Sequence, residues 1–169
     1  MSAQLDLALF YQMQQEDPKD LAEISNSARL LRTLQMLNGS GVSQINQVHS
    51  NISAVIAASG TYTIDCGVLG NNLRDTVSFT TVKLISILLR NIGSSEATSV
   101  SFGPHTTNGF ADPFSGTNPL VEIGSGGLLV MSAPENGWDI TGGNDTLRVV
   151  NNDGVNTAGV EVLIAGIGS

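Results

Sequence analysis

The chain has 169 residues, enough for one domain with a real core plus an appendage, and 13% of them are charged against about 25% in average proteins. A net charge of −8 weighs against recognition of nucleic acid by phosphate neutralisation. The single cysteine, Cys66, excludes an intrachain disulfide, and no run approaches the ~20 apolar residues of a membrane span.

Residues 1–16 carry Leu5, Leu7, Leu9 and Phe10 at a spacing that fits neither the helical nor the strand period cleanly. An extended or weakly helical arm is expected there. Asp6 interrupts the apolar segment and no basic stretch precedes it, so no secretory leader is expected.

Asp17-Pro18-Lys19-Asp20 has the makings of a helix start, with a capping aspartate, a proline at the first helical position and negative charge in the first turn. Leu21, Ile24, Ala28, Leu31, Leu34, Met36 and Leu37 follow as an apolar stripe, and Asn38-Gly39-Ser40-Gly41 supplies a glycine stop. These signals predict one amphipathic α-helix over about residues 18–38. Its stripe, with Leu21, Ile24, Leu31 and Leu34, must pack on the domain's own sheet, between subunits or on a larger particle.

After residue 41 short apolar runs alternate with Gly, Asn, Pro and Ser clusters, the texture of many strands joined by turns. Strands are predicted at 52–58, 61–66, 77–91, 98–102, 120–123, 127–132, 139–141, 146–151 and 159–165. Gly126-Gly127 and Ala133-Pro134-Glu135-Asn136-Gly137 read as turns. The stretch from Phe102 to Asn118, with two prolines and three glycines, reads as a long loop and a contact surface.

The run from Val82 to Asn91 organises the rest. Alternate positions put Lys83, Ile85, Ile87 and Leu89 on one face, and Val82, Leu84, Ser86, Leu88 and Arg90 on the other. Both faces are apolar at their centre, so both need covering. The domain core covers one. A helix of the same chain or a neighbouring subunit must cover the other, which makes Leu84 and Leu88 candidate interaction residues alongside the helix stripe.

No constellation for chemistry stands out. His49, His105 and Cys66 show no metal-ligand spacing, and there is no nucleophile elbow, phosphate loop or dinucleotide fingerprint. Gly142-Gly143-Asn144-Asp145-Thr146-Leu147 resembles part of a calcium-binding nonapeptide repeat, but that architecture stacks several copies. A single incomplete copy reads as a turn entering a strand. Residues 91–169 hold eight acids against Arg148 alone, and acids scattered through turns read as solvated charge rather than acid–base pairs. Trp138 follows a turn and precedes Ile140 at strand spacing, which fits packing better than sugar stacking. Neither catalysis nor a cofactor or metal is expected.

The order of pieces from residue 39 onward is similar to that of small tailed-bacteriophage virion proteins, a resemblance over roughly three quarters of the chain. It is carried by Gly39-Ser40-Gly41, the Ile52–Ala58 run, Ser59-Gly60-Thr61-Tyr62-Thr63-Ile64-Asp65 and the 76–91 segment. Leu120-Val121-Glu122-Ile123, Ala133-Pro134, Gly137-Trp138, Asp145-Thr146-Leu147-Arg148-Val149 and the closing Val160–Ile164 complete it. The resemblance implies a β-sandwich that decorates or completes a virus particle. It brings no catalytic residues.

The expectation is therefore a mainly β protein: an antiparallel, jelly-roll-like β-sandwich over 42–169, preceded by an assembly arm and helix over 1–41. It is expected to be a capsid decoration or cement protein located in the virion. Its expected partners are copies of itself, a trimer first among the symmetric oligomers, and the major capsid protein or other virion proteins. Nucleic acid and membrane are not expected partners. The alternative is a tail-fibre or baseplate module that binds host glycan through the 102–118 loop and Trp138.

Overall fold

The computed structural model describes residues 5–15, 26–70, 76–90, 96–115, 119–140 and 143–168. Every regular element among them is a strand. The first four are β1 (Leu5–Gln15), β2 (Asn26–Asn38), β3 (Gln44–Ile45) and β4 (Gln47–Ile56). Then come β5 (Thr61–Asp65), β6 (Leu69–Gly70), β7 (Thr76–Val77), β8 (Phe79–Leu89) and β9 (Ser99–Pro104). The last five are β10 (Val121–Gly124), β11 (Leu128–Ser132), β12 (Trp138–Asp139), β13 (Thr146–Asn151) and β14 (Ala158–Gly168).

Two antiparallel sheets share one core. The first has the order β10-β9-β13-β5, and the second β11-β8-β14-β4 with β12 also on β8. In β13 the alternation is plain: Leu147, Val149 and Asn151 are buried while Arg148 and Val150 are half-exposed. Ile64, Val100, Phe102, Leu147 and Val149 from the first sheet meet Ile85, Ile87, Leu89, Val160, Val162 and Ile164 from the second. Each such side chain, fully buried, contributes about 1.5–3 kcal/mol of transfer free energy.

The central strand β8 behaves as its sequence suggests over most of its length. Ile85, Ile87 and Leu89 face the shared core, and Leu84, Ser86 and Leu88 take the opposite face. The alternation breaks at one point. Ala165 of β14 pairs with Leu84, but the next residue, Gly166, pairs with Val82, so Lys83 is an extra residue in its strand. The bulge turns Val82 into the core and takes Lys83 out of phase with Ile85, against the alternation expected for the run.

A polar knot closes one end of the pair of sheets. Asn151, 2% exposed, donates from Nδ2 to the carbonyls of Ala57 (3.0 Å) and Asn156 (2.8 Å). In the β13–β14 loop, Asp153 Oδ1 accepts from the backbone N–H groups of Val155 (2.8 Å) and Asn156 (2.9 Å).

Over the described residues 26–38 the expected helix is not formed. Residues 26–38 are β2, paired antiparallel with β1 from Leu5↔Met36 to Gln15↔Asn26. Leu, Ala, Arg, Gln and Met favour a helix locally, but strand pairing overrides so weak a preference. The proposed helix start at Asp17 and the residues Leu21 and Ile24 lie outside the described residues. Leu31 and Leu34 are three apart, so a strand places them on opposite faces where a helix would align them.

Candidate association surface

The site is built on the outer face of the second sheet. Register sets its residues in three rows across β11, β8, β14 and β4. One row runs Ser132, Leu84, Ala165 and Val48; the next Val130, Ser86, Leu163 and Ser50; the third Leu128, Leu88 and Glu161, with Ile52 of β4 beside it. An antiparallel sheet with one solvated face should alternate apolar and polar residues, and this outer face is too apolar for that pattern.

The first row is covered from within the chain. Met36 and Ile45 form a small second core with Leu84 and Ala165, all four fully buried, and Val48, Val130 and Leu163 pack at its margin. Leu84, expected to be an interaction residue, is therefore spent on an intrachain contact. Met36 is carried there by β2, which pairs parallel with β3 through Leu37↔Gln44 and Asn38↔Ile45. Gly39 makes the connection possible. Its φ is +145°, and a Cβ there would run into the Gln44 side-chain amide.

Lys83 fastens this cover. The bulge directs its side chain so that Nζ donates to the Gly41 carbonyl at 2.8 Å and the Glu135 carbonyl at 3.3 Å. The residue is 2% exposed, and burial holds the ammonium below the ordinary lysine pKa. It thereby ties the base of the arm to the 133–137 turn.

The other two rows lie open. Leu88 and Leu163 are half-buried, while Ile52 and Leu128 are 62% and 54% exposed. Together with Ser50, Ser86 and Glu161 they line a shallow groove of about 280 Å³. Its lining is mostly apolar, and Glu161 is its one charged residue.

The arm is formed by β1 and β2, paired from Leu5↔Met36 to Gln15↔Asn26. Directly opposed residues share a face, so the register sets positions 5, 7, 9, 11 and 13 beside 36, 34, 32, 30 and 28. Those positions hold Leu5, Leu7, Leu9, Tyr11, Met13, Met36, Leu34, Leu30, Ala28 and one charged residue, Arg32, and the row ends in the polar pair Gln15 and Asn26. The opposite face carries Asp6, Gln12, Gln14, Gln35, Thr33, Arg29 and Ser27 with Ala8, Phe10 and Leu31. At its other end this row of the register reaches the buried Met36, opposite Leu5.

Other sequence candidates resolve into packing. Trp138 and Ile140 lie against the shared core. The 105–115 segment also packs inward: Phe110 is buried, and Phe114 meets Phe102 with ring centroids 5.6 Å apart. Cys66 is buried, and desolvation, with the Asp65 and Asp145 carboxylates adding to it, pushes its thiol up to about 12. His49 faces the core at the Ile164 pairing position, and burial lowers its pKa while the Gly70 backbone opposes that shift. Among the described residues no group of three or more His, Cys, Asp or Glu side chains is placed to hold a metal ion.

Sequence reading missed Met36 and Ile45 as a cover and Ile52, Leu128, Glu161 and Leu163 as a groove. Leu163 was the available signal: an apolar residue on the polar phase of β14 marks a second covered face. Comparison with family models, curated proteins and solved structures returns no match.

Proposed function

We propose that this chain is a structural, non-enzymatic virion protein of a tailed bacteriophage, a capsid decoration or cement protein that stabilises the particle through oligomeric contacts. In this reading the two sheets form a jelly-roll-like β-sandwich body, and the arm engages a neighbouring subunit or the shell. The observation that carries it is a body whose outer sheet face is half covered, by Met36 and Ile45 at the base of a two-stranded arm, and half open. Sequence resemblance supplies the viral setting; the surface chemistry supplies the reason to assemble.

A cement protein needs durable packing and large contact surfaces more than a reactive cleft. The buried Phe110, the partly buried Phe114 against Phe102 and the packed Trp138 favour a structural use of those residues over sugar stacking.

The test adds purified protein to phage heads that lack it and follows the heads under heat or osmotic shock. Wild-type protein is expected to bind and protect the heads. A full-length variant with Leu30→Asp and Leu34→Asp in the arm is expected to bind at least about tenfold more weakly. Undiminished binding by the arm variant would overturn the arm's role, and no binding by wild type would overturn decoration.

A further inference from the structure

We infer that Asn108 is a site of spontaneous chemical modification: its side-chain amide cyclises onto the Gly109 nitrogen, and the isoaspartate that results frees the 105–110 segment from β13. The inference concerns the chemistry of this chain alone and does not depend on the function proposed above.

The sequence holds three Asn-Gly steps, Asn38-Gly39, Asn108-Gly109 and Asn136-Gly137. Glycine leaves the nitrogen that follows the asparagine unhindered, so the three are alike as sequence, and all three asparagines are exposed. The reaction is the same at each. The glycine nitrogen attacks the asparagine Cγ, its proton passes to solvent, and the side-chain nitrogen leaves as ammonia, closing a succinimide. Water then opens the ring at either carbonyl and gives aspartate or isoaspartate. The attacking group starts as a backbone N–H, so one already held in a hydrogen bond must be released first.

The fold separates the three. Gly39 N–H donates to the Ile45 carbonyl at 2.9 Å, and Gly137 N–H to the Ala133 carbonyl at 2.8 Å. Gly109 N–H has no acceptor among the described residues. The bridge between Gly109 and Thr146 is made by its neighbours: Phe110 N–H donates to the Thr146 carbonyl and Thr146 N–H to the Asn108 carbonyl, both at 2.9 Å. An Asp-Gly step, Asp153-Gly154, could close the same ring, but its carboxylate is held by Val155 N–H, Asn156 N–H and Asn156 Nδ2.

The backbone explains why a reactive step stands at 108–109. Asn108 has a φ of +54°, in the left-handed region that asparagine tolerates better than most residues. A Cβ at Gly109 would run into the His105 carbonyl oxygen. The consequence of reaction is local. The Asn108 carbonyl accepts from the N–H groups of Asp145 (3.0 Å) and Thr146 (2.9 Å), and Phe110, two residues on, is 1% exposed. Isoaspartate routes the chain through the side chain and adds a methylene to the backbone, so the carbonyl pair and the Phe110 anchor cannot both be kept.

The experiment holds the full-length protein for weeks in mildly alkaline buffer, native and in urea, and follows each step by peptide mapping. The native rate divided by the urea rate removes the effect of flanking sequence. That ratio is expected to be at least about tenfold higher for Asn108 than for Asn38 or Asn136, whose glycine N–H must first break a bond. Amides of Asp145 and Thr146 are expected to exchange faster in aged wild type than in fresh. Asn108→Gly keeps the left-handed backbone and removes the reactive amide, so its aged and fresh samples are expected to match. A ratio for Asn108 no higher than for the other two would overturn the assignment. Isoaspartate at 108 with unchanged exchange at 145 and 146, or equal loss of protection in aged Asn108→Gly, would overturn the release.

Discussion

Lys83 donates a hydrogen bond to the carbonyl of Gly41, 2.8 Å away and 42 positions earlier in the chain. One buried ammonium thus holds the turn that launches the arm onto the body. The bond exists because a bulge in β8 moves Lys83 out of the core alternation, so a defect in a ladder becomes a fastening.

Replacing it tests that fastening. Lys83→Met keeps most of the stem and removes both carbonyl contacts. Charge-assisted bonds of this kind are worth about 1.5–3 kcal/mol, offset in part by the relieved cost of burying charge. A net loss of about 1–2 kcal/mol is expected in urea unfolding, with faster amide exchange at 39–45 and 133–137. Unchanged exchange in both segments would show that the arm base is held by other contacts.

Asn151 makes a comparable claim at the other end. Asn151→Ala leaves buried carbonyls of the 56–57 and 156 segments without a donor. A loss of about 2–3 kcal/mol is expected in the same measurement, because stranded polar groups cost more than a bond returns. Asn151→Asp is also expected to destabilise, since a carboxylate cannot donate to those carbonyls.

Acid should weaken the fold in two separable steps. The folded-state pKa of His49 lies below its ordinary value of 6.5. Below about pH 6.5 the unfolded chain takes up a proton that the folded chain resists, so stability is full above that value and falls as pH drops through the window beneath it. Asp153 is also depressed, chiefly by the Asn156 and Val155 backbone N–H groups, so its contribution is lost only below the ordinary carboxylate value of 3.8. The unfolding midpoint is expected to decline between about pH 7 and pH 5 in wild type and to flatten over that range in His49→Leu. An equal decline in the variant would assign the first step to another group.

Cys66 should be inert. It is buried in the shared core with its thiol pushed up to about 12, so almost no thiolate exists near neutral pH. Reaction with an aromatic disulfide reagent is expected to proceed at the rate of unfolding and to speed up with urea. Rapid modification of the native protein would contradict the burial.

The body was legible in the sequence because its strands are short and bounded by turn residues. All nine predicted runs correspond to strands, and their ends differ from the observed ones by a few residues. The β8 reading held for Ile85, Ile87 and Leu89, and failed at Val82 and Lys83 because a bulge resets the alternation without any local residue that announces it. The arm was misread for a different reason. Leu21, Ile24, Ala28, Leu31 and Leu34 satisfy a helical period, and the same segment satisfies a period of two through Leu30, Leu34 and Met36. The deciding partner, Leu5, Leu7 and Leu9 across the hairpin, lies about 20 to 30 residues away and enters no local window. The candidate site shared that fate. Leu84 and Leu88 were rightly placed on a second face, but which of them stays open depends on Met36 reaching Leu84.

The central claim, a structural role on a phage particle, is tested most directly by labelling intact virions with an antibody to the full-length protein and counting labels per particle. Copies spread over the head in large number are expected. Label confined to the tail or to one vertex, or absent from purified particles, would contradict the assignment.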